Sequence, residues 1–219
     1  MEGKFITIEG IDGCGKTTQI ELLKKRFKDA NKKFWFTSEP TGGPIGKMIR
    51  EYYLRGNMVM NDKIVLDSLF LADRLDHITS RNGIKYHLEI GDNVICDRYI
   101  ISGVSYMAAN LILKRGYKIN HAIYEAISHN KVAADLLTPN LIIILDLQPE
   151  EAIKRIENRN KFEIYEKMDY QKIVYDVIHN TVNVMKCLYP KTRFVYIDAN
   201  DNPYCTNEKI WNHICRIIN

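Results

Sequence analysis

An α/β architecture, a doubly wound five-stranded parallel sheet with helices on both faces, is the fold this 219-residue chain predicts. Three observations carry it. A glycine-rich loop at residues 10–18 stands between an apolar strand pattern and a helical one. Five strand-like runs alternate with helical stretches, the order of elements that builds a right-handed parallel sheet. One of those runs, residues 141–146, is apolar almost throughout, as a strand covered on both faces must be.

The first strand is Phe5-Ile6-Thr7-Ile8, and the loop after it reads Gly10-Ile11-Asp12-Gly13-Cys14-Gly15-Lys16-Thr17-Thr18, a fit to G-x-x-x-x-G-K-[ST] without mismatch. Glycines let successive backbone N–H groups close around a phosphate chain at a helix N-terminus, whose dipole favours anions. Lys16 would reach the terminal phosphates and Thr17 would offer its hydroxyl to Mg²⁺. The loop therefore predicts a bound nucleoside triphosphate. Residues 18–32 follow as an amphipathic helix, with Ile20, Leu23 and Phe27 at helical spacing.

Residues 33–37 form the second strand, which empties into the turn-rich Glu39-Pro40-Thr41-Gly42-Gly43-Pro44, with Pro44 suited to the first position of a helix over 45–54. Loops of this kind lie at the carboxyl edge of a parallel sheet, where α/β proteins bind ligands. Lys47 and Arg50 are three apart on that helix and so share a side that could turn toward one anion. A helix over about 61–80 places Phe70 and Arg74 four apart on one face, able to meet a single ligand with a ring plane and a guanidinium. The third strand, residues 93–96, ends in Asp97-Arg98-Tyr99. An aspartate at this place beside a phosphate loop can orient Mg²⁺, and Arg98 then faces the same pocket. Helices follow from Ser102 through Leu113 and over 119–136. Pro139 precedes the fourth strand, and a helix from Pro149 carries Glu150 and Glu151 in its first turn, as the dipole favours. The basic stretch from Lys154 and Arg155 to Lys161 reads as a short mobile lid at about 155–166. A helix over 170–188, a strand over 194–198 and a helix over 207–217 complete the chain.

Composition narrows the class. Hydrophobic residues at 46% and charged residues at 26% describe an ordinary globular protein, and no linker divides the chain, so one domain over 1–219 is expected. No stretch has the length and apolarity of a membrane span, the first residues run straight into a strand and not a signal peptide, and a cytoplasmic protein is expected. Five scattered cysteines without C-x-x-C spacing suit neither a disulfide framework nor a zinc site. The net charge of +4 suits phosphorylated ligands, but the basic residues are dispersed, so nucleic acid is not expected as a partner.

Laid out in this order, the chain resembles the thymidylate kinases of the nucleoside monophosphate kinase group over nearly its whole length. The likeness rests on residues 9–19, on Glu39-Pro40 with Pro44-Ile45-Gly46 and Arg50, on Leu69-Phe70-Leu71-Ala72-Asp73-Arg74, on Asp97-Arg98-Tyr99 with Tyr106, and on Pro139 ahead of Leu145-Asp146 and Pro149-Glu150-Glu151. The resemblance implies transfer of a phosphoryl group from ATP to dTMP, giving dTDP, with Mg²⁺ and in a homodimer. It implies that Phe70 stacks on the thymine, Arg74 bonds the base, and Arg50 and Arg98 hold the acceptor phosphate. It further implies that Asp12 meets the 3′-hydroxyl, Tyr106 sits under the deoxyribose where a 2′-hydroxyl would otherwise go, and Glu39 completes the acceptor and metal surroundings. The chain departs from the family pattern at Ile164, where a lid arginine is common, so that role falls to Arg155, Arg159 or Lys161. It departs again at Met107, with the candidate substrate-binding residue Gly103 nearby in place of a frequent serine, at Ser38 before Glu-Pro, and at Thr41. A kinase of another small acceptor and a P-loop NTPase switch are the alternatives. The switch lacks support, since no Asn-Lys-x-Asp occurs, and the absence of His-Arg-Asp and Asp-Phe-Gly excludes a protein kinase.

Overall fold

The computed structural model describes residues 2–29, 33–54, 63–157 and 168–218. Strand β1 (Phe5–Glu9) is the middle of a five-stranded sheet completed by β2 (Phe34–Ser38), β3 (Asn93–Asp97), β4 (Leu141–Asp146) and β5 (Arg193–Asp198). The order is β2-β3-β1-β4-β5 and every pairing is parallel. Ile6 sits between Ile95 on one neighbour and Leu141 on the other. All of β1 and the first five residues of β4 are buried, which accounts for their apolar runs. The chain moves from β1 to one side for β2 and β3, then crosses to the other side for β4 and β5. That reversal opens a crevice at the carboxyl end of β1, the place where sheets of this kind take ligands.

Helices α1 (Lys16–Asp29) and α9 (Pro203–Ile218) pack together as one layer. The second layer is built from α3 (Lys63–Thr79), α5 (Ile100–Arg115), α6 (Ile119–Leu136) and α8 (Met168–Leu188). As the spacing predicts, α1 buries Ile20, Leu23 and Phe27. Pro44 opens α2 (Pro44–Met48) and Pro149 opens α7 (Pro149–Glu157).

Four local features differ from the sequence reading, each for a local physical reason. The helix expected over 45–54 changes character after Met48 and continues as a π-helix, Ile49–Leu54. The wider turn alters the phase of the side chains, so Lys47 is exposed and away from the cleft that Arg50 lines. A short helix, α4 (Ile84–Glu89), has no counterpart in the sequence reading; six residues burying only Ile84 and Leu88 offer no periodic window. The final helix starts at Pro203, not at 207, because Asn202 Oδ1 accepts from Tyr204 N at 2.9 Å and caps it there. Helix α5 starts two residues before Ser102, capped by a carboxylate from another element: Glu9 of β1 accepts from Tyr99 N at 2.9 Å and Ser102 N at 3.2 Å. No described helix is long and apolar enough to cross a membrane.

Candidate active site

The phosphate loop leaves β1 at the crevice and enters α1. Gly10 and Gly13 have φ of 142° and 81°, and a Cβ on Gly13 would come within 2.4 Å of Ala152 O, so the loop needs glycine there both for its turn and for its packing on α7. Lys16 reaches back over the loop and donates to Gly10 O at 3.1 Å and Ile11 O at 2.8 Å.

Arg98 arrives from the end of β3. Its backbone is in the left-handed region, φ 65°, an uncommon state for a residue with a Cβ. Its Nη1 donates to Gly10 O at 3.1 Å and Ser102 Oγ at 3.2 Å, and its Nη2 donates to Asp12. Burial opposes the charge on Arg98, but Tyr106, Asp12 and Asp97 outweigh it and raise its pKa above the ordinary value. Asp12 is the matching case: burial works against ionisation, yet Arg98 and Lys16 hold its carboxyl below its usual range. Tyr106 donates to Asp12 Oδ2 at 2.7 Å, and burial keeps the Tyr106 phenol protonated, its pKa well above the ordinary value. Ser102 Oγ in turn donates to Glu9 Oε2 at 2.5 Å. Burial pushes the Glu9 carboxyl up, against the pull of Ser102 and Arg98.

These groups open onto a cleft of about 350 Å³. Its far wall is α3, which contributes Phe70 and Arg74, as four-residue spacing requires. Arg74 is almost wholly buried and donates to Glu39 Oε2, Asn130 Oδ1 and Tyr99 O at 2.8, 2.7 and 3.0 Å. Glu39 therefore supports Arg74 directly, and its other oxygen lies 3.2 Å from His77 Nδ1. Arg50 enters the cleft with both terminal nitrogens donating to the carbonyls of Pro40 and Thr41. Thr41 is fixed by Asp73, which accepts from its N and its Oγ1 at 2.7 and 2.6 Å. Gly103 and Tyr106 line the same space, whereas Met107 is buried in the core.

A second cleft, also about 350 Å³, lies across the loop. Gly13, Gly15 and Thr18 belong to both. Arg155, from the last turn of α7, lines the second and donates to Ala199 O at 3.0 Å. Its Nη1 lies 4.0 Å from where a Gly15 Cβ would stand. Arg159, Lys161 and Ile164, with the rest of the expected lid beyond residue 157, fall outside the described residues.

A hard cation has a fitting place. Asp97 Oδ1 is buried with no hydrogen-bond partner among the described residues, and Thr17 lines the same cleft. An unpaired carboxylate oxygen and a hydroxyl residue lining one cleft suit Mg²⁺, which takes oxygen ligands. Glu39, His77 and Cys96 also bring one ligand-type atom each within 4.8 Å of one another, but sulfur and imidazole suit softer ions.

The family profile described as thymidylate kinase matches residues 8–210. The chain belongs to the thymidylate kinase family. It is thereby a phosphotransferase of nucleotide biosynthesis. A "probable thymidylate kinase" of Methanococcus maripaludis is 37% identical over 216 residues, 98% of this chain and 94% of the relative. A thymidylate kinase of Exiguobacterium is 30% identical over 213 residues, 97% of this chain and 94% of the relative. Among solved structures, the thymidylate kinase of Candida albicans superposes with a TM-score of 0.71 at 25% identity, covering 97% of this chain and 91% of that one.

Sequence reasoning missed Asn130, Ser102 and Gln171. Gln171, fully buried on α8, accepts from Asp12 N and donates to Asp12 Oδ2, each at 3.1 Å. One signal was present: Asn130 interrupts the buried small-residue stripe of Ala126, Ala133 and Ala134 on α6. A polar residue in an apolar stripe has to find a partner, and here the partner is Arg74.

Proposed function

We propose that the two clefts hold donor and acceptor nucleotide on opposite sides of the phosphate loop, and that the chain transfers the γ-phosphoryl group of ATP to the 5′-phosphate of dTMP. The observation that supports this most is the shared wall of Gly13, Gly15 and Thr18. Two substrates facing one loop from either side are set for in-line displacement.

The acceptor phosphate is already a nucleophile, so catalysis is positioning plus neutralisation of charge on the transferring group. Lys16 and Arg98 bring fixed positive charge to the loop, and Arg50 and Arg98 hold the acceptor phosphate. Phe70 offers its ring face to the base and Arg74 its donor edge. Asp12 and Tyr106 take the sugar, where the Tyr106 ring crowds a 2′-hydroxyl. Arg155 serves the donor nucleotide, given its bond to Ala199 beside Gly15. That leaves Arg159 for the transferring phosphoryl group, where a guanidinium can bridge two oxygens. Mg²⁺, held by Thr17 and Asp97, would neutralise phosphate charge. The lid excludes water, which would otherwise accept the phosphoryl group.

We further propose a homodimer through α6, where Tyr124, Val132 and Leu136 form one exposed apolar stripe at intervals of eight and four residues. A cytoplasmic location suits the five free cysteines.

ADP release measured across nucleoside monophosphates tests the reading. The expected order of kcat/KM is dTMP first, dUMP lower by the loss of one methyl contact worth about 1 kcal/mol, and UMP and dCMP far below. Equal values for dCMP or UMP and dTMP overturn the roles of Arg74 and Tyr106.

A further inference from the structure

Arg74 has five N–H donors to place. Nε donates to Glu39 Oε2, and Nη2 lies 2.8 Å from that same oxygen while donating to Tyr99 O. Nη1 donates to Asn130 Oδ1 at 2.7 Å. Four donors are engaged, and the fifth is the second N–H of Nη1. That nitrogen is boxed in from the other side, since a Cβ on Gly103 would come within 2.5 Å of it. The direction of the remaining N–H is thus set by Asn130.

Asn130 is 3% exposed, and its amide orientation is settled by its own helix: Nδ2 donates to Ala126 O at 2.9 Å, which turns Oδ1 to Arg74. One Nδ2 N–H is left. Asn130, Arg74 and Phe70 all line the acceptor cleft.

We propose that Asn130 is a base-selecting residue, which with Arg74 presents two convergent N–H donors to the 4-oxo oxygen of a pyrimidine stacked on Phe70. This rests on the reading of the cleft as the acceptor nucleotide's site. A carbonyl oxygen has two lone pairs and can accept both donors. A 4-amino group brings hydrogens toward the same two donors and leaves them buried and unpaired, the kind of mismatch that polar sites reject strongly. The shape of the cleft cannot make this distinction, because an amino group and a carbonyl oxygen are close in size.

The test compares kcat/KM for dTMP and dCMP in the wild type, Asn130→Asp, Asn130→Ala and Arg74→Lys, with the KM for ATP as a check on the fold. Asn130→Asp turns one donor into an acceptor, and the dTMP to dCMP ratio should fall at least about tenfold. In Asn130→Ala the loss should appear mainly in the KM for dTMP. If the Asp variant does not fold, Asn130→Ser, shorter but polar, takes its place. An unchanged ratio in the folded Asn130 variants, or equal losses for both nucleotides, overturns the proposal. If Arg74→Lys shifts the ratio and the Asn130 variants do not, the Asn130 assignment alone fails. If no variant shifts it, the base does not lie at this end of the cleft.

Discussion

Asp12 receives donors from three elements: Arg98 after β3, Tyr106 on α5 and Gln171 on α8. Its lowered pKa has a thermodynamic consequence with a definite sign. A carboxyl whose folded pKa is depressed contributes stability above its unfolded pKa, about 3.8, and loses it as pH falls through the folded value. The stability advantage of the wild type over Asp12→Asn should be constant from about pH 8 to 5 and shrink below about pH 4. Urea unfolding at three pH values measures it, and an undiminished advantage at the lowest would show that Arg98 and Lys16 do not hold the charge. At this scale the sequence was half legible. Lys16 and Arg98 sit in local motifs whose chemistry can be read from neighbours. Gln171 is 159 positions from Asp12, and nothing in a local window marks a pairing at that range.

Helix α3 was legible for a general reason: Phe70 and Arg74 face one way because a helix repeats every 3.6 residues. The starts of α5 and α9 were less so, since each depends on a cap outside the helical pattern, Glu9 in one case and Asn202 in the other. Helix α8 shows how an element can hold a site from a distance. Its first turn directly follows, in sequence, the segment proposed as a lid, and Gln171 pins that turn to the phosphate loop through both amide atoms. Replacing Gln171 by Ala should speed hydrogen exchange in the first turn of α8 and lower kcat about tenfold through misplacement of the loop. Unaltered exchange together with unaltered kcat would mean that the rest of the helix packing suffices to hold that turn.

For the whole molecule, the number of strands could be read from five apolar runs, but their order could not. The same runs fit several arrangements, and the order that places β1 in the middle follows from how the helices pack over the two faces. The site inherits its layout from that order: Arg98 comes from one neighbour of β1, and Arg155 from the helix after the other. The exposed stripe of α6 belongs to this scale too. For the proposed homodimer, Leu136→Glu combined with Tyr124→Glu should shift the particle mass from dimer toward monomer in light scattering, because burying carboxylates in an apolar interface is unfavourable. A dimer mass unaffected by both changes would move the interface elsewhere, and a monomeric wild type would overturn the proposed dimer.

The left-handed backbone at Arg98 sets stability and turnover against each other at one position. A side chain at φ 65° costs about 1–2 kcal/mol that glycine would not incur. Arg98→Gly should therefore be more stable than Arg98→Ala by about 1 kcal/mol, the reverse of the usual ranking of these residues, with both inactive. Thermal melts of the two variants measure the difference, and an alanine variant at least as stable as the glycine one would show that this backbone is not strained. A library selected only for resistance to heat would enrich glycine at position 98, and the same library selected for growth on its own dTMP kinase would discard it.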